Sequence, residues 1–374
     1  MLKKTKIFNM DAVRKPTYTI PALPPPGVNW DSPELLRALA VAHRHLAELK
    51  GSADSIPNQG ILINTLTLQE AKASSEIESY FTTQDELFQA DIQLADWVSP
   101  ATKEVSRYRE ALRQGFTQMQ AQKGLLTNSG LIASFQTLKS SSAGFRNAPG
   151  VVIKSETSGE IVYVPPQTGE EVQRHMNELE RFINDSDADI DHLLKMALIH
   201  HQFESIHPFS DGNGRVGRIL CVLYLTKAGL LNAPILYLSR YINRRKNDYY
   251  RLLQAVRESG DWHAWMMFMI EGISETSQST VSLVKSMKLL MMQTKQRLRS
   301  ELPKRYSQDL LNNLFRHPYT RIEYVEKDLN VTRQTAAKYL KELSQNGIVK
   351  KVAYGKRIYF INEPLVELLI KGDN

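Results

Sequence analysis

The chain has 374 residues, 42% apolar and 23% charged, which is material for two or three domains with buried cores and excludes wholesale disorder or a fibrous repeat. Its net charge of +7 suits polyanionic ligands or nucleic acid without requiring either, and its single cysteine, Cys221 in the apolar run ILCVLYL, excludes a disulfide framework and suits a reducing compartment. The basic start MLKKTKIFNMD lacks a following apolar region, and no run approaches the ~18 apolar residues of a membrane span, so a cytoplasmic protein with no membrane partner is expected.

Prolines in PTYTIPALPPPGVNWDSPE predict an extended strap up to about residue 32. Apolar spacings of three and four then predict a helix from Pro33 to Lys50, with Gly51 as terminator, and a second helix over ILINTLTLQEAKASSEI. Thr83 and Glu86 have capping-box spacing for a third helix through DELFQADI. Helical patterns continue through EVSRYREALRQGFTQM and GLIASFQTLKSSS and break at FRNAPG, where the period changes. VVIK and EIVYV flank SETSG, predicting a β-hairpin from Val151 to Val164 that Pro165 and Pro166 close. Helices resume with GEEVQRHMNELERFIN and DHLLKMALIHHQFESIH. After Ser300, three short helical patterns precede the alternating hairpin IVKKVAYGKRIYFIN, which turns at Tyr354 and Gly355, giving the order of a winged helix-turn-helix.

The chemistry concentrates in HPFSDGNGRVGR, His207 to Arg218. Gly212 and Gly214 permit backbone conformations that let the amides around Asn213 converge into an anion nest at the start of a helix. Arg215 and Arg218 stand in the first turns of that helix, where the dipole disfavours cations by ~0.3 to 1 kcal/mol each, unless a bound anion reverses the sign. Asp211 suits either a helix cap or one coordination site of Mg²⁺ bridging phosphate oxygens. His207 has the side chain a general base for a hydroxyl requires. A capped helix whose arginines meet surface carboxylates would explain any one of these features, but not the set.

HPFSDGNGRVGR resembles the Fic-domain signature H-x-F-x-[DE]-G-N-G-R-x-x-R at every fixed position, and the resemblance extends over about residues 1 to 280 through HHQFESIHPF, the hairpin and YINRRKNDYYRLLQAVRESGDWHAWMMFMIEGI. It implies a mainly α fold and transfer of AMP from ATP to a Ser, Thr or Tyr hydroxyl of a target protein, and of the protein itself, with Mg²⁺ as cofactor. On that resemblance His207 deprotonates the hydroxyl, Asp211 holds the metal, Phe209 packs beneath the loop, and Gly212, Asn213, Gly214, Arg215, Gly217 and Arg218 bind ATP, Arg218 at the γ-phosphate. Tyr249 and Tyr250 fall where the family places its adenine pocket, although ordinary core aromatics explain either one equally well. The hairpin becomes a flap, Val151, Val152, Ile153, Ile161, Val162 and Tyr163, that docks an extended target by strand addition. Domains are then expected at 1–100, an N-terminal helical region, at 101–295, the catalytic domain, and at 300–374, the winged helix.

ASSEIES resembles the family's inhibitory helix, [ST]-x-x-x-E-[GN]. Ser74 and Glu78 lie four apart on one helical face, and the resemblance implies that Glu78 pairs with Arg218 and displaces the γ-phosphate. Ser79 departs from the pattern, standing where the family has Gly or Asn. At the C-terminal end, residues 331 to 360 hold seven basic residues, among them Arg333, Lys338, Lys350, Lys351, Lys356 and Arg357, against Glu342, a net +6 that favours duplex DNA. Dimerisation or target docking by the same module stays open, as does a homodimer. A nucleotide-sensing DNA-binding regulator and an enzyme removing AMP are the alternative functions. HHQFESIH invites a zinc reading but lacks the HExxH pairing, HRH at 43–45 lies on an amphipathic helix, and no Walker A sequence is present.

Overall fold

The structure is a computed structural model describing residues 18–91, 99–155, 158–186, 189–354 and 357–371. It is mainly helical. The helices are α1 (Pro33–Asp54), α2 (Gln59–Ile77), α3 (Gln84–Asp91), α4 (Pro100–Ala121), α5 (Asn128–Lys139), α6 (Gly169–Asn184), α7 (His192–Ile206), α8 (Asn213–Lys227), α9 (Ser239–Arg244), α10 (Lys246–Ser259), α11 (Trp262–Glu301), α12 (Gln308–Arg316), α13 (Ile322–Leu329), α14 (Arg333–Gln345) and α15 (Glu363–Lys371). Strands β1 (Ile153–Lys154) and β2 (Ile161–Tyr163) form one antiparallel pair, and β3 (Tyr319–Thr320), β5 (Arg357–Ile361) and β4 (Lys350–Tyr354) form an antiparallel sheet in that order. The described residues divide into two compact units.

The first unit takes in the chain up to Ala42, Glu110–Gly229 and Arg244–Gly272. Its centre is α7, every residue of which from Leu193 to Ile206 is buried, so the helix carries no polar face for periodicity to reveal. Helix α8 packs on it through Gly217, where any side chain would collide with Glu204 Oε1 and crowd Phe203 and His200. Residues 18–32 contain no helix or strand and behave as the expected strap: Tyr18 meets the Tyr163 and His201 rings edge-on, and the Pro21 carbonyl accepts from Gln202 Nε2 at 2.9 Å. The hairpin is shorter than its sequence suggests. Pairing covers Ile153 with Tyr163 and Lys154 with Ile161 across a bulge, leaving Val151, Val152 and Val164 outside the ladder, and the turn residues Glu156 and Thr157 lie outside the described residues. A two-stranded ribbon is marginal alone, and the Gln167 amide pins its base by bonding Gly150 N and the Val151 carbonyl at 2.8 and 3.0 Å.

The second unit comprises His43–Arg109, Leu230–Asn243 and the chain from Ile273. Helix α1 runs through Gly51 to Asp54 rather than stopping, because Leu49 and Ala53 are buried on its apolar face and outweigh the ~1 kcal/mol cost of a helical glycine. The Thr83–Glu86 capping box forms as expected, with reciprocal bonds of 3.0 and 3.1 Å at the start of α3. Helices α12, α13 and α14 precede the β4–β5 hairpin in the expected order, while β3 and α15 are additions the sequence reading did not separate. Gly355 and Lys356 at the hairpin turn lie outside the described residues. Helix α2 packs against α12, and its buried Gln69 donates to the Leu369 carbonyl of α15 at 3.0 Å.

Candidate active site

The loop between α7 and α8 is held open from within. His207 ends α7 in the left-handed region, φ 51° and ψ 59°, and Gly212 opens α8 with φ 77°. Asn213 then clamps the loop: its Oδ1 accepts from Phe209 N and its Nδ2 donates to the Phe209 carbonyl, both at 2.8 Å. The Asn213 side chain is thus consumed by loop structure, leaving its backbone amide for a ligand. Phe209, fully buried, stacks on Phe135 at 4.1 Å with Phe145 and Phe203 nearby, the floor expected beneath the loop. The first amides of α8, which have no partner within the helix, lie beside Gly212 and Gly214.

Arg215 and Arg218 are each 1% exposed, so both cations are buried. Asp211 accepts from the Gly212 amide at 2.7 Å and pairs with Lys139 at 2.7 Å, its side chain remaining 64% exposed. Burial works to raise its pKa, but Lys139, Arg215 and the Gly212 amide outweigh that and keep it ionised. Among the described residues no group of three His, Cys, Asp or Glu side chains is placed to hold a metal ion. One carboxylate is nevertheless what Mg²⁺ takes from a protein when phosphate oxygens and waters fill the other positions, so the residues fit a metal that arrives with nucleotide.

Burial and then the guanidiniums of Arg146 and Arg257 push the His207 pKa down to about 3, against the Glu204 carbonyl and the Asp211 carboxylate. The imidazole is therefore neutral at pH 7, the form that accepts a proton. Arg146 and Arg257 were not singled out in the sequence, and neither was Lys139. The arginine of FRNAPG sits in a loop without periodicity, and Arg257 sits in an ordinary amphipathic helix, so no local pattern marks them.

Other expected residues separate in role. Tyr249 is 1% exposed and its hydroxyl lies 2.8 Å from His200 Nε2, within a cluster that includes Trp265, whereas Tyr250 is 42% exposed. His200 and His201 are core histidines: burial holds the first at a pKa of about 3 and the second well below its ordinary value, and His201 Nε2 lies 3.2 Å from the Leu253 carbonyl. In the hairpin, Ile161 and Val162 are 42% and 39% exposed, while Tyr163 is buried and anchors the ribbon by donating to the Ser205 carbonyl at 2.7 Å under the Arg257 guanidinium.

In the second unit, Ser74 is fully buried in the last turns of α2 and Glu78 is its C-cap. Ser79 follows with φ 64°, the left-handed conformation that Gly and Asn adopt most readily. In the C-terminal module two of the basic residues have acidic neighbours: Arg333 meets Glu323 at 2.9 Å and Lys350 meets Glu363 at 2.6 Å.

Three family models match in chain order: Fic/DOC family N-terminal over residues 36–117, Fic/DOC family over 126–225, and the protein adenylyltransferase SoFic-like C-terminal domain over 290–365. The chain is similar to a protein adenylyltransferase Fic of Aedes aegypti, 33% identical over 115 residues that make up 30% of this chain and 21% of that protein. It is also similar to a probable protein adenylyltransferase of Aquifex aeolicus, 28% identical over 181 residues, 42% of this chain and 54% of that protein. The chain thus spans about a fifth to about half the length of these curated relatives. Its fold is similar to that of a Fic family protein from Desulfovibrio desulfuricans, with TM-score 0.56 at 19% identity over 93% of this chain and 98% of that one. Fic-1 of C. elegans shares it with TM-score 0.53 at 17% identity over 69% and 75%. With three successive family models matched and the fold shared along nearly its whole length, the chain belongs to the Fic/DOC family.

Proposed function

We propose that the protein transfers AMP from ATP to a Ser, Thr or Tyr hydroxyl of a target protein and of itself. The observation that carries this reading is the segment of residues 207–218, in which a neutral imidazole, an Asn213-clamped turn, the first amides of α8 and two buried arginines share one unit. In this reaction His207 takes the hydroxyl proton as the oxygen attacks the α-phosphorus; the new O–P bond forms as the bond to the bridging oxygen breaks, and pyrophosphate leaves with that electron pair. The protein's task is positioning and charge neutralisation, since phosphoryl-type transfer needs no covalent protein nucleophile. Gly212, Gly214 and the backbone of Asn213 cradle phosphates, with Arg215 and Arg218 supplying positive charge. Bound Mg²⁺, held by Asp211, would neutralise charge on the phosphate oxygens. The exposed Ile161 and Val162 suit strand addition by an extended target segment, with Val151, Val152 and Ile153 on the facing arm.

Glu78, at the left-handed turn that ends α2, is the proposed brake, competing with the γ-phosphate for Arg218, and the resemblance of ASSEIES to the family's inhibitory segment supports it. Self-labelling by α-labelled ATP tests both parts. His207→Ala is expected to abolish labelling, and Glu78→Gly to raise it at least tenfold. Labelling by His207→Ala at the wild-type rate sinks the transferase, and equal labelling by wild type and Glu78→Gly sinks the brake.

A further inference from the structure

We infer that Arg146 is a positioning residue for His207, its fork gripping the carbonyls that end α7 and its charge standing beside the imidazole. The inference rests on the proposed role of His207 as general base. The last carbonyls of a helix have no partner within it, and His207 adds a left-handed backbone that is unfavourable for a non-glycine residue. Such a conformation persists only where its surroundings over-determine it. Arg146 does so at three successive residues: Nη2 donates to the Ile206 carbonyl at 3.2 Å, Nε to the His207 carbonyl at 2.8 Å, and its own backbone N to the Pro208 carbonyl at 2.8 Å.

Arg146, 7% exposed, gives its guanidinium donors to neutral carbonyls rather than to a carboxylate, and its Nη1 is buried without a partner. Its charge therefore acts on the neighbouring ring. The groups facing His207 are Arg146 from the loop before the hairpin, Arg257 from α10, the Glu204 carbonyl of α7 and Asp211. The two cations disfavour a third on the imidazole and keep the ring in the proton-accepting form, while Asp211 opposes them. Lysine would preserve the charge but lacks the planar fork that reaches two carbonyls at once.

The test uses the full chain without nucleotide, following the His207 ring by NMR from pH 2 to 7, together with self-labelling by α-labelled ATP. Arg146→Gln is expected to raise the ring's titration midpoint by about one unit and to cut labelling at least tenfold. Arg146→Lys should leave the midpoint within a few tenths of wild type yet still lose about tenfold in labelling. A midpoint unmoved in Arg146→Gln overturns the electrostatic half, and wild-type labelling by Arg146→Lys overturns the positioning half. Should Arg146→Gln fail to fold, Arg146→Lys decides: loss of rate at an unchanged melting temperature supports the inference, and wild-type rate defeats it. Because the titration needs no activity, its outcome is separable from that of His207→Ala, whose retained labelling would instead defeat the transferase reading.

Discussion

Ser79 shows how one backbone angle accounts for a residue preference. Its φ of 64° places a non-glycine side chain in the left-handed region immediately after Glu78, where Gly or Asn is the family's choice. Serine is tolerated because its side chain is short and not β-branched. Ser79→Gly is expected to leave folding stability unchanged or slightly improved, whereas Ser79→Val should cost ~1 to 2 kcal/mol in urea denaturation. Val at wild-type stability would mean that the turn is not strained. Gly217 makes a parallel point in the first unit, since its missing side chain sets how closely α8 approaches α7.

Among the elements, the hairpin and the C-terminal module each combine an anchored part with an exposed part. Tyr163 is buried and bonded to α7 while Ile161 and Val162 beside it are exposed, so one strand carries both a fastener and an apolar surface open to solvent. In the C-terminal module, Lys350 and Arg333 sit in exposed ion pairs with Glu363 and Glu323. Exposed pairs contribute only ~0 to 1 kcal/mol and yield to a polyanion. If this module reads as a winged helix on duplex DNA, Lys350→Glu with Lys351→Glu should weaken binding in fluorescence anisotropy and reduce the salt slope by about two. An affinity and slope equal to wild type would assign the module to protein contacts instead.

At the scale of the whole molecule, three histidines make folding sensitive to acid. His200, His201 and His207 all have pKa values lowered by burial, the first and last to about 3. A depressed value means the unfolded chain binds protons that the fold refuses, so this stability is present above pH 6.5 and is lost as pH falls toward 3. Each group contributes a slope of ~1.4 kcal/mol per pH unit within that window. Urea midpoints should therefore drop steeply from pH 7 to pH 5, and a flat profile would show that these rings are solvated. Sequence alone determined the helical class, the order of most elements, the hairpin and the glycine-rich turn that opens α8, because periodicity, glycine placement and short motifs are local and chain order preserves them. Only tertiary structure decided that Asn213 serves the loop with its side chain, that Tyr249 and Tyr250 differ in exposure, and that His200 and His201 are packing residues. It alone brought Arg146, Arg257 and Lys139 to the site. Burial and long-range charge are set by residues tens of positions apart, and no spacing along the chain records which of them will meet.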